Sequence, residues 1–152
     1  MSAKPPHLLL VEALFYDHIA ADLRRGAERA VAEAGATCEI ISVPGSFEIP
    51  PAIAMAAKAG APYDGYVALG CVIRGETTHY EHIATEVTRG IGQSAQETGV
   101  PHAYGVLTCE NLEQAIDRAG LKSGNKGWEA ALTAVEMVSL HGKLKRGASD
   151  GR

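Results

Sequence analysis

The sequence lacks any long hydrophobic run. No apolar stretch among its 152 residues approaches the roughly 20 residues that a helix needs to cross a bilayer. The first apolar run, Leu8–Val11, is too short and too poorly flanked to be the hydrophobic region of a signal peptide. We therefore expect a cytoplasmic protein with no membrane partner.

Cysteine is scarce as well. Cys38, Cys71 and Cys109 are widely spaced, they form no C-x-x-C pair, and no histidines accompany them at the intervals of a zinc site. These features argue against a disulfide framework and against a structural zinc ion. We expect reduced thiols and no bound metal.

The chain has no excess of positive charge. Fourteen Lys and Arg residues against 18 Asp and Glu residues give a formal net charge of -4. The basic cluster of Lys143, Lys145 and Arg146 is typical of the solvated end of a helix, where cations are favoured. Since phosphate contacts require clustered cations, we expect no nucleic-acid partner.

What the sequence does contain is an alternation of strand-like and helix-like segments. The strand-like runs are apolar throughout, which is typical of parallel strands that are covered on both faces. We predict one domain over residues 1–152 with an α/β fold: a flavodoxin-like three-layer α/β/α sandwich around a four-stranded parallel sheet. The predicted strands are Leu8–Val11, Cys38–Val43, Tyr63–Ile73 and His102–Thr108.

The helices are predicted from apolar residues at helical spacing. The first ends at Gly35, and Pro50-Pro51 opens the second, because the first turn needs no amide donors. The last, Asn125–Leu140, is predicted to turn three side chains towards the core: Trp128, Leu132 and Val135.

The loops after the strands are the predicted ligand-binding region, because open parallel sheets bind ligands beyond the carboxyl ends of their strands. The loop after Ile73 leads into a helix whose first turn should include His79. Free backbone amides, the helix dipole and the hydroxyls of Thr77 and Thr78 predict a phosphate site. The carboxylate of Glu76 must then turn outward. The alternative is a helix that is simply capped by threonine.

Two further features of these loops suggest chemistry. His79 would lie at the mouth of the anion site, where an imidazole can transfer protons near neutral pH. His82 lies three residues further and could form a metal pair with His79, but no third ligand is evident. Phe15, one of only two phenylalanines, follows the first strand and is either a stacking platform for a flat heterocycle or a core residue.

The turn at 43–50 combines a strand end with a helix start. Its Glu48 could accept hydrogen bonds from a polyhydroxylated group, or could serve as a helix N-terminal carboxylate.

The segments V-P-G-S-F-E-I-P, L-G-C-V-I-R-G-E-T-T-H-Y, G-V-L-T-C-E-N-L-E-Q-A-I-D-R-A-G and G-N-K-G resemble, in order and approximate spacing, those of lumazine synthases. The resemblance covers most of residues 13–140. It implies condensation of 5-amino-6-ribitylaminouracil with 3,4-dihydroxy-2-butanone 4-phosphate, giving 6,7-dimethyl-8-ribityllumazine, phosphate and water. It implies no cofactor and no metal.

The resemblance also implies roles for individual residues. Phe15 resembles the ring that stacks on the pyrimidine, His79 matches the general acid/base, and Glu76 and Thr77 match the phosphate-loop pair. The other matches belong to the turn that holds the uracil substrate with its ribityl chain and to the strand end that contacts the pyrimidine edge: Ser46, Phe47, Glu48, Cys71, Val72 and Ile73.

Other matching residues are supplied by a neighbouring subunit. Tyr104 and Arg118 match such residues, the arginine pairing with phosphate, and Lys126 assists nearby. The family forms pentameric rings, sometimes packed into capsids, so we expect a homo-oligomer that is a pentamer or a multiple of pentamers. The chain departs from the family pattern at Leu14, Tyr16 and Tyr104, where an arginine or small polar residue, asparagine and phenylalanine are frequent.

Two other functions are compatible with parts of the sequence. A cysteine-dependent hydrolase would use Cys71 at a strand end with His79 as its base. However, the apolar context of Cys71 favours the neutral thiol. A noncatalytic module that binds flavins or pteridines would keep the same pocket without turnover.

Overall fold

A computed structural model describes residues 4–120 and 124–149 of the chain. Four strands alternate with five α-helices in this part, and a short 3-10 turn at Ser46–Glu48 precedes the second helix. The strands are β1 (His7–Ala13), β2 (Thr37–Val43), β3 (Gly65–Ile73) and β4 (His102–Cys109). The helices are α1 (Asp17–Glu33), α2 (Ile49–Lys58), α3 (His79–Thr98), α4 (Leu112–Arg118) and α5 (Lys126–Ser149).

The strands form one parallel sheet in the order β2-β1-β3-β4. Buried residues of α1, α4 and α5 pack on one face, and those of α2 and α3 pack on the other. The prediction of a three-layer α/β/α sandwich with a four-stranded parallel sheet is therefore confirmed. Because the chain leaves β1 towards one edge and β3 towards the other, a crevice opens between the carboxyl ends of these two central strands.

The prediction that every strand is apolar and covered on both faces is wrong for β2. Its residues alternate between half-buried and exposed, and Glu39 and Ile41 are among the exposed ones. The reason is position: β2 lies at the edge of the sheet, where the helices cover less of the surface. The central strand β3, in contrast, is buried along almost its whole length.

The last helix differs from its prediction in length and in the face it buries. It continues to Ser149, and its fully buried side chains are Ala130, Ala131 and Ala134. Trp128 and Val135 are half-buried against the core, whereas Leu132 lies outside that contact. Small residues face inward because α5 packs too closely on α1 to admit larger ones.

The close approach of α1 and α5 depends on glycine. A Cβ added to Gly127 would lie 2.1 Å from the carbonyl oxygen of Leu23, a backbone atom of α1. A Cβ added to Gly26 would lie 2.2 Å from the side chain of Asn125. A side chain at Gly127 would force the two helices apart, and a side chain at Gly26 would displace the side chain of Asn125.

Asn125 connects the elements that meet at this point. Its amide nitrogen donates to the carbonyl oxygens of Asp22 in α1 (2.8 Å) and Ala119 after α4 (2.9 Å). Its side-chain oxygen accepts from the backbone N–H of Trp128 at 3.0 Å, in the first turn of α5. Buried amide groups need partners of this kind, which explains physically why the G-N-K-G segment has its sequence.

Across residues 4–120 and 124–149, no helix is long and apolar enough to cross a membrane.

Candidate active site

A cleft with a volume of about 490 Å³ opens at the carboxyl ends of β1 and β3. The loop after β1, the 3-10 turn after β2, the end of β3 and the first turn of α3 form its walls. The lining residues are Phe15, Tyr16, Gly45, Ser46, Phe47, Glu48, Cys71, Val72, Ile73, Gly75, Thr77, His79, Tyr80 and Ile83. Most of the residues predicted for the site thus surround one cleft.

The two phenylalanines of the chain both lie at this cleft and both are exposed. Phe15 has 75% and Phe47 has 51% of its surface accessible. A phenylalanine that packs in the core is buried, so the core-packing interpretation of Phe15 is wrong. Two open rings at the mouth of a cleft suit a flat aromatic ligand.

Tyr16 supports the ring of Phe15. The two rings meet edge to face, with centroids 4.9 Å apart and planes at 82°. Burial, with a smaller contribution from Cys71, raises the pKa of Tyr16, so its phenol stays neutral. The tyrosine that departs from the family pattern therefore packs against the ring of the predicted stacking platform.

Ser46 lines the cleft, but its hydroxyl is buried. It is only 6% exposed, and its hydroxyl has no hydrogen-bond partner in the part of the chain that the structure describes. A Cβ on Gly70 of β3 would lie 2.7 Å from this hydroxyl oxygen. Glycine at position 70 thus allows the turn to pack directly on β3, which sets the positions of Phe47 and Glu48.

Cys71, Val72 and Ile73 end β3 at the floor of the cleft. Burial, reinforced by the nearby Cys109, raises the pKa of the Cys71 thiol to about 12. A nucleophilic cysteine needs a lowered pKa, because the thiolate is the reactive form. The environment of Cys71 therefore contradicts the cysteine-hydrolase hypothesis.

Replacing Cys71 by serine is expected to leave the rate of turnover within about threefold of wild type, because a buried neutral thiol can act only as packing. Steady-state rates of the two proteins at saturating substrate provide the measurement. Loss of nearly all activity in Cys71→Ser, with an unchanged melting temperature, would restore the thiol as a catalytic group.

The loop from β3 to α3 has the free amides of an anion site. Within residues 4–120 and 124–149, no hydrogen-bond acceptor is found for the backbone N–H groups of residues 75–78. The hydroxyl of Thr77 accepts from the N–H of His79 at 3.3 Å, whereas Thr78 makes no capping bond. The alternative of a threonine-capped helix therefore holds only for the single contact between Thr77 and the N–H of His79, and the amides of residues 75–78 remain available to a ligand.

His79 begins α3 and is exposed at the cleft, as predicted. His82 is also exposed but does not line the cleft. In the described part of the chain, no group of three or more His, Cys, Asp or Glu side chains is placed to hold a metal ion.

Four of the predicted residues do not line this cleft. Glu76 is exposed on the anion loop, and the hydroxyl of Tyr104 contacts that of Thr88 at 2.8 Å. Arg118 ends α4, and Lys126 begins α5 beside Glu129, with 3.3 Å between their charged atoms. The assignment of Tyr104, Arg118 and Lys126 to a neighbour's cleft stays a prediction.

The sequence interpretation missed Tyr80 and Ile83. Ile83 lies one turn after His79 in α3 and lines the cleft. Residues at i and i+4 share a face of a helix, so the position of His79 was a signal that could have identified Ile83. No comparable signal identified Tyr80, whose ring contacts Arg74.

An exposed aromatic platform, a corner of free amides and a histidine at the switch point of a parallel sheet give this α/β protein a cleft suited to a flat ring together with an anionic group. Residues 5–142 match the profile of the 6,7-dimethyl-8-ribityllumazine synthase family. The chain belongs to this family.

Individual relatives agree with this assignment. A Chlorobium luteolum protein named 6,7-dimethyl-8-ribityllumazine synthase is 48% identical over 144 residues, which cover 93% of this chain and 92% of that protein. The 6,7-dimethyl-8-ribityllumazine synthase 1 of Rhizobium meliloti is 48% identical over 145 residues, or 93% and 95% of the two chains. The Agrobacterium fabrum protein of the same family name is 48% identical over 143 residues, or 91% and 97%.

Proposed function

We propose that this cleft condenses 5-amino-6-ribitylaminouracil with 3,4-dihydroxy-2-butanone 4-phosphate to 6,7-dimethyl-8-ribityllumazine, a step of riboflavin biosynthesis. The enzyme is a transferase of the family named above. The observation that carries the proposal is the meeting of two exposed phenylalanine rings and a row of free amides in one cleft. The phenylalanine rings suit stacking on the pyrimidine, and the free amides suit binding of the phosphate.

The reaction needs no protein nucleophile. The amine of the pyrimidine attacks the ketone and a first water leaves, giving an imine. Phosphate is then eliminated, and the ribitylamino nitrogen attacks the remaining carbonyl, which closes the ring with loss of a second water. The protein holds both substrates in one pocket, which replaces a bimolecular encounter with an intramolecular one. Phe15 stacks on the pyrimidine, Glu48 binds the ribityl hydroxyls, and backbone groups of residues 71–73 contact the pyrimidine edge.

His79 is the group that we assign to proton transfer. It lines the cleft at the start of α3, next to the anion loop, where the ketone carbon and the leaving phosphate would both lie. Proton transfer by a positioned side chain contributes about 10²–10⁴-fold to a rate. The remaining acceleration comes from positioning the two substrates.

Changing His79 to alanine is expected to lower kcat by about 10²-fold without abolishing it. His82→Ala is the matched control, because His82 is exposed on the same helix and does not line the cleft. Rates are to be measured under saturation with both substrates. A wild-type rate in His79→Ala would remove His79 from the mechanism.

The charge of the cleft supports a site shared between subunits. Of the lining residues that the structure describes, none is lysine or arginine, and Glu48 adds a negative charge. Arg74 lies beside the anion loop, but it is paired with both Glu81 and Glu110. A phosphate dianion therefore needs a further cation. We propose that Arg118 of an adjacent subunit supplies it, in a pentamer or a multiple of pentamers.

The reaction itself is tested by mixing the purified protein with both substrates and following the fluorescence of the lumazine product. We expect steady multiple turnover and release of one phosphate for each lumazine formed. Tight binding of the product without turnover would instead identify a noncatalytic module for pteridines or flavins.

A further inference from the structure

Arg74 lies where the end of β3, the first turn of α3 and the corner between β4 and α4 meet. Its backbone N–H donates to the carbonyl oxygen of Cys109 at 2.8 Å, which prolongs the pairing of β3 with β4. Arg74 is not among the residues that line the cleft. The residue directly precedes Gly75, the first residue of the anion loop that lines the cleft.

The guanidinium of Arg74 contacts two elements at once. Its Nε donates to Oε2 of Glu110 at 2.5 Å, in the corner between β4 and α4. One terminal nitrogen donates to Glu81 in the first turn of α3. The group also lies over the ring of Tyr80, 4.6 Å from its centroid. The planar, forked guanidinium suits such a bridge because it donates in several fixed directions and stacks on an aromatic face.

We propose that Arg74 is a positioning residue, which fixes the anion loop and the first turn of α3 by bridging Glu81 and Glu110 and covering Tyr80. The inference rests on the proposed function, since it concerns the same phosphate site. The contacts enclose the loop from both ends: Arg74 precedes the free amides, and Tyr80 and Glu81 follow His79. Tyr80 itself lines the cleft, so the guanidinium that packs on its ring holds this part of the cleft wall in place.

The ion pairs themselves contribute little to stability. The side chains of Arg74, Glu81 and Glu110 are 42%, 47% and 57% exposed, and exposed pairs are weakened by solvent and salt. The consequence of losing Arg74 should therefore appear in substrate binding rather than in folding. Small displacements of groups that hold a substrate can have large effects on rate.

The first test compares Arg74→Ala with wild type under separate variation of the two substrates. We expect the KM for the phosphorylated ketone to rise about tenfold, while the KM for the pyrimidine stays within about twofold. The KM of Arg74→Lys for the phosphorylated ketone should lie between the values of wild type and Arg74→Ala, because an ammonium keeps the charge but cannot bridge both carboxylates while stacking on Tyr80. The melting temperature should change by no more than a few degrees.

Arg89→Ala is the matched control, since Arg89 is an exposed arginine of α3 that pairs with Glu86 and does not line the cleft. It should leave both KM values unchanged. If the wild type is active and Arg74→Ala has the same KM for the phosphorylated ketone as Arg89→Ala, the inference is overturned. Absence of lumazine formation by the wild type would instead refute the proposed function, so the two failures are distinguishable.

The double variant Glu81→Gln/Glu110→Gln separates positioning from simple charge effects. If Arg74 acts by bridging, removing its partners raises the KM for the phosphorylated ketone. If it acts only as a positive charge, or binds the phosphate directly, removing two neighbouring negative charges lowers that KM. A lowered KM would contradict the positioning role.

Discussion

Replacement of Arg118 by alanine is expected to lower kcat/KM for the phosphorylated ketone by about 10²-fold or more, the largest activity loss among the variants considered. The expectation follows from charge: the described lining of the cleft holds no lysine or arginine, and Arg74 is already paired with two carboxylates. Removal of a donor that stabilises developing negative charge in an enclosed site commonly costs about 10²–10³-fold.

The control for this variant is Arg25→Ala. Arg25 is an exposed arginine of α1 that pairs with Asp22 within its own helix, so its loss should leave both substrates unaffected. The measurement is the full dependence of rate on the concentration of each substrate. An Arg118→Ala enzyme with the kinetic constants of Arg25→Ala would show that the phosphate is held without this arginine.

The substitution Gly127→Ala is expected to destabilise the fold by about 3 kcal/mol. The added Cβ would lie 2.1 Å from the carbonyl oxygen and 2.8 Å from the carbonyl carbon of Leu23. Both atoms belong to the backbone of α1, so no side chain can turn aside to relieve the contact. The helices must separate, which also disturbs the hydrogen bonds of Asn125 with α1 and α5.

Gly92→Ala is the matched control for this stability change. Gly92 also lies within a long helix, α3, but an added Cβ would meet nothing within 4 Å. Alanine is favoured over glycine in helices by up to about 1 kcal/mol, so this variant should be as stable as wild type or more so. The free energies come from denaturant unfolding at equal protomer concentration. Equal stability of the two variants would contradict the close α1–α5 packing.

The sequence predicted the order of strands and helices well because the signals are local. Apolar β-branched runs, glycine at helix ends and Pro50-Pro51 at a helix start each depend on a few neighbouring residues. The exposed edge of β2 and the alanine face of α5 were missed, because they depend on which elements become neighbours. The G-N-K-G segment illustrates this: Asn125 contacts Asp22, which is far away in sequence.

The candidate site was predictable to a similar extent. The loops that follow the strands were identified because parallel strands bring their carboxyl ends to one edge of the sheet. Whether Phe15 was exposed could not be decided from spacing, nor could the close packing of the Ser46 hydroxyl on Gly70. The pairing of Arg74 with Glu81 and Glu110 was also hidden, since charge counts do not reveal which carboxylates meet a given cation.

The central claim is that one subunit's cleft is completed by a neighbour's Arg118, and mixed oligomers test it most directly. Arg118→Ala and His79→Ala subunits, each of low activity, are unfolded together, refolded at equal amounts and assayed. We expect activity well above that of either parent, because random mixing places an intact cleft beside an intact arginine at about one site in four. Activity equal to the mean of the two parents, in oligomers that contain both subunits, would contradict a shared site.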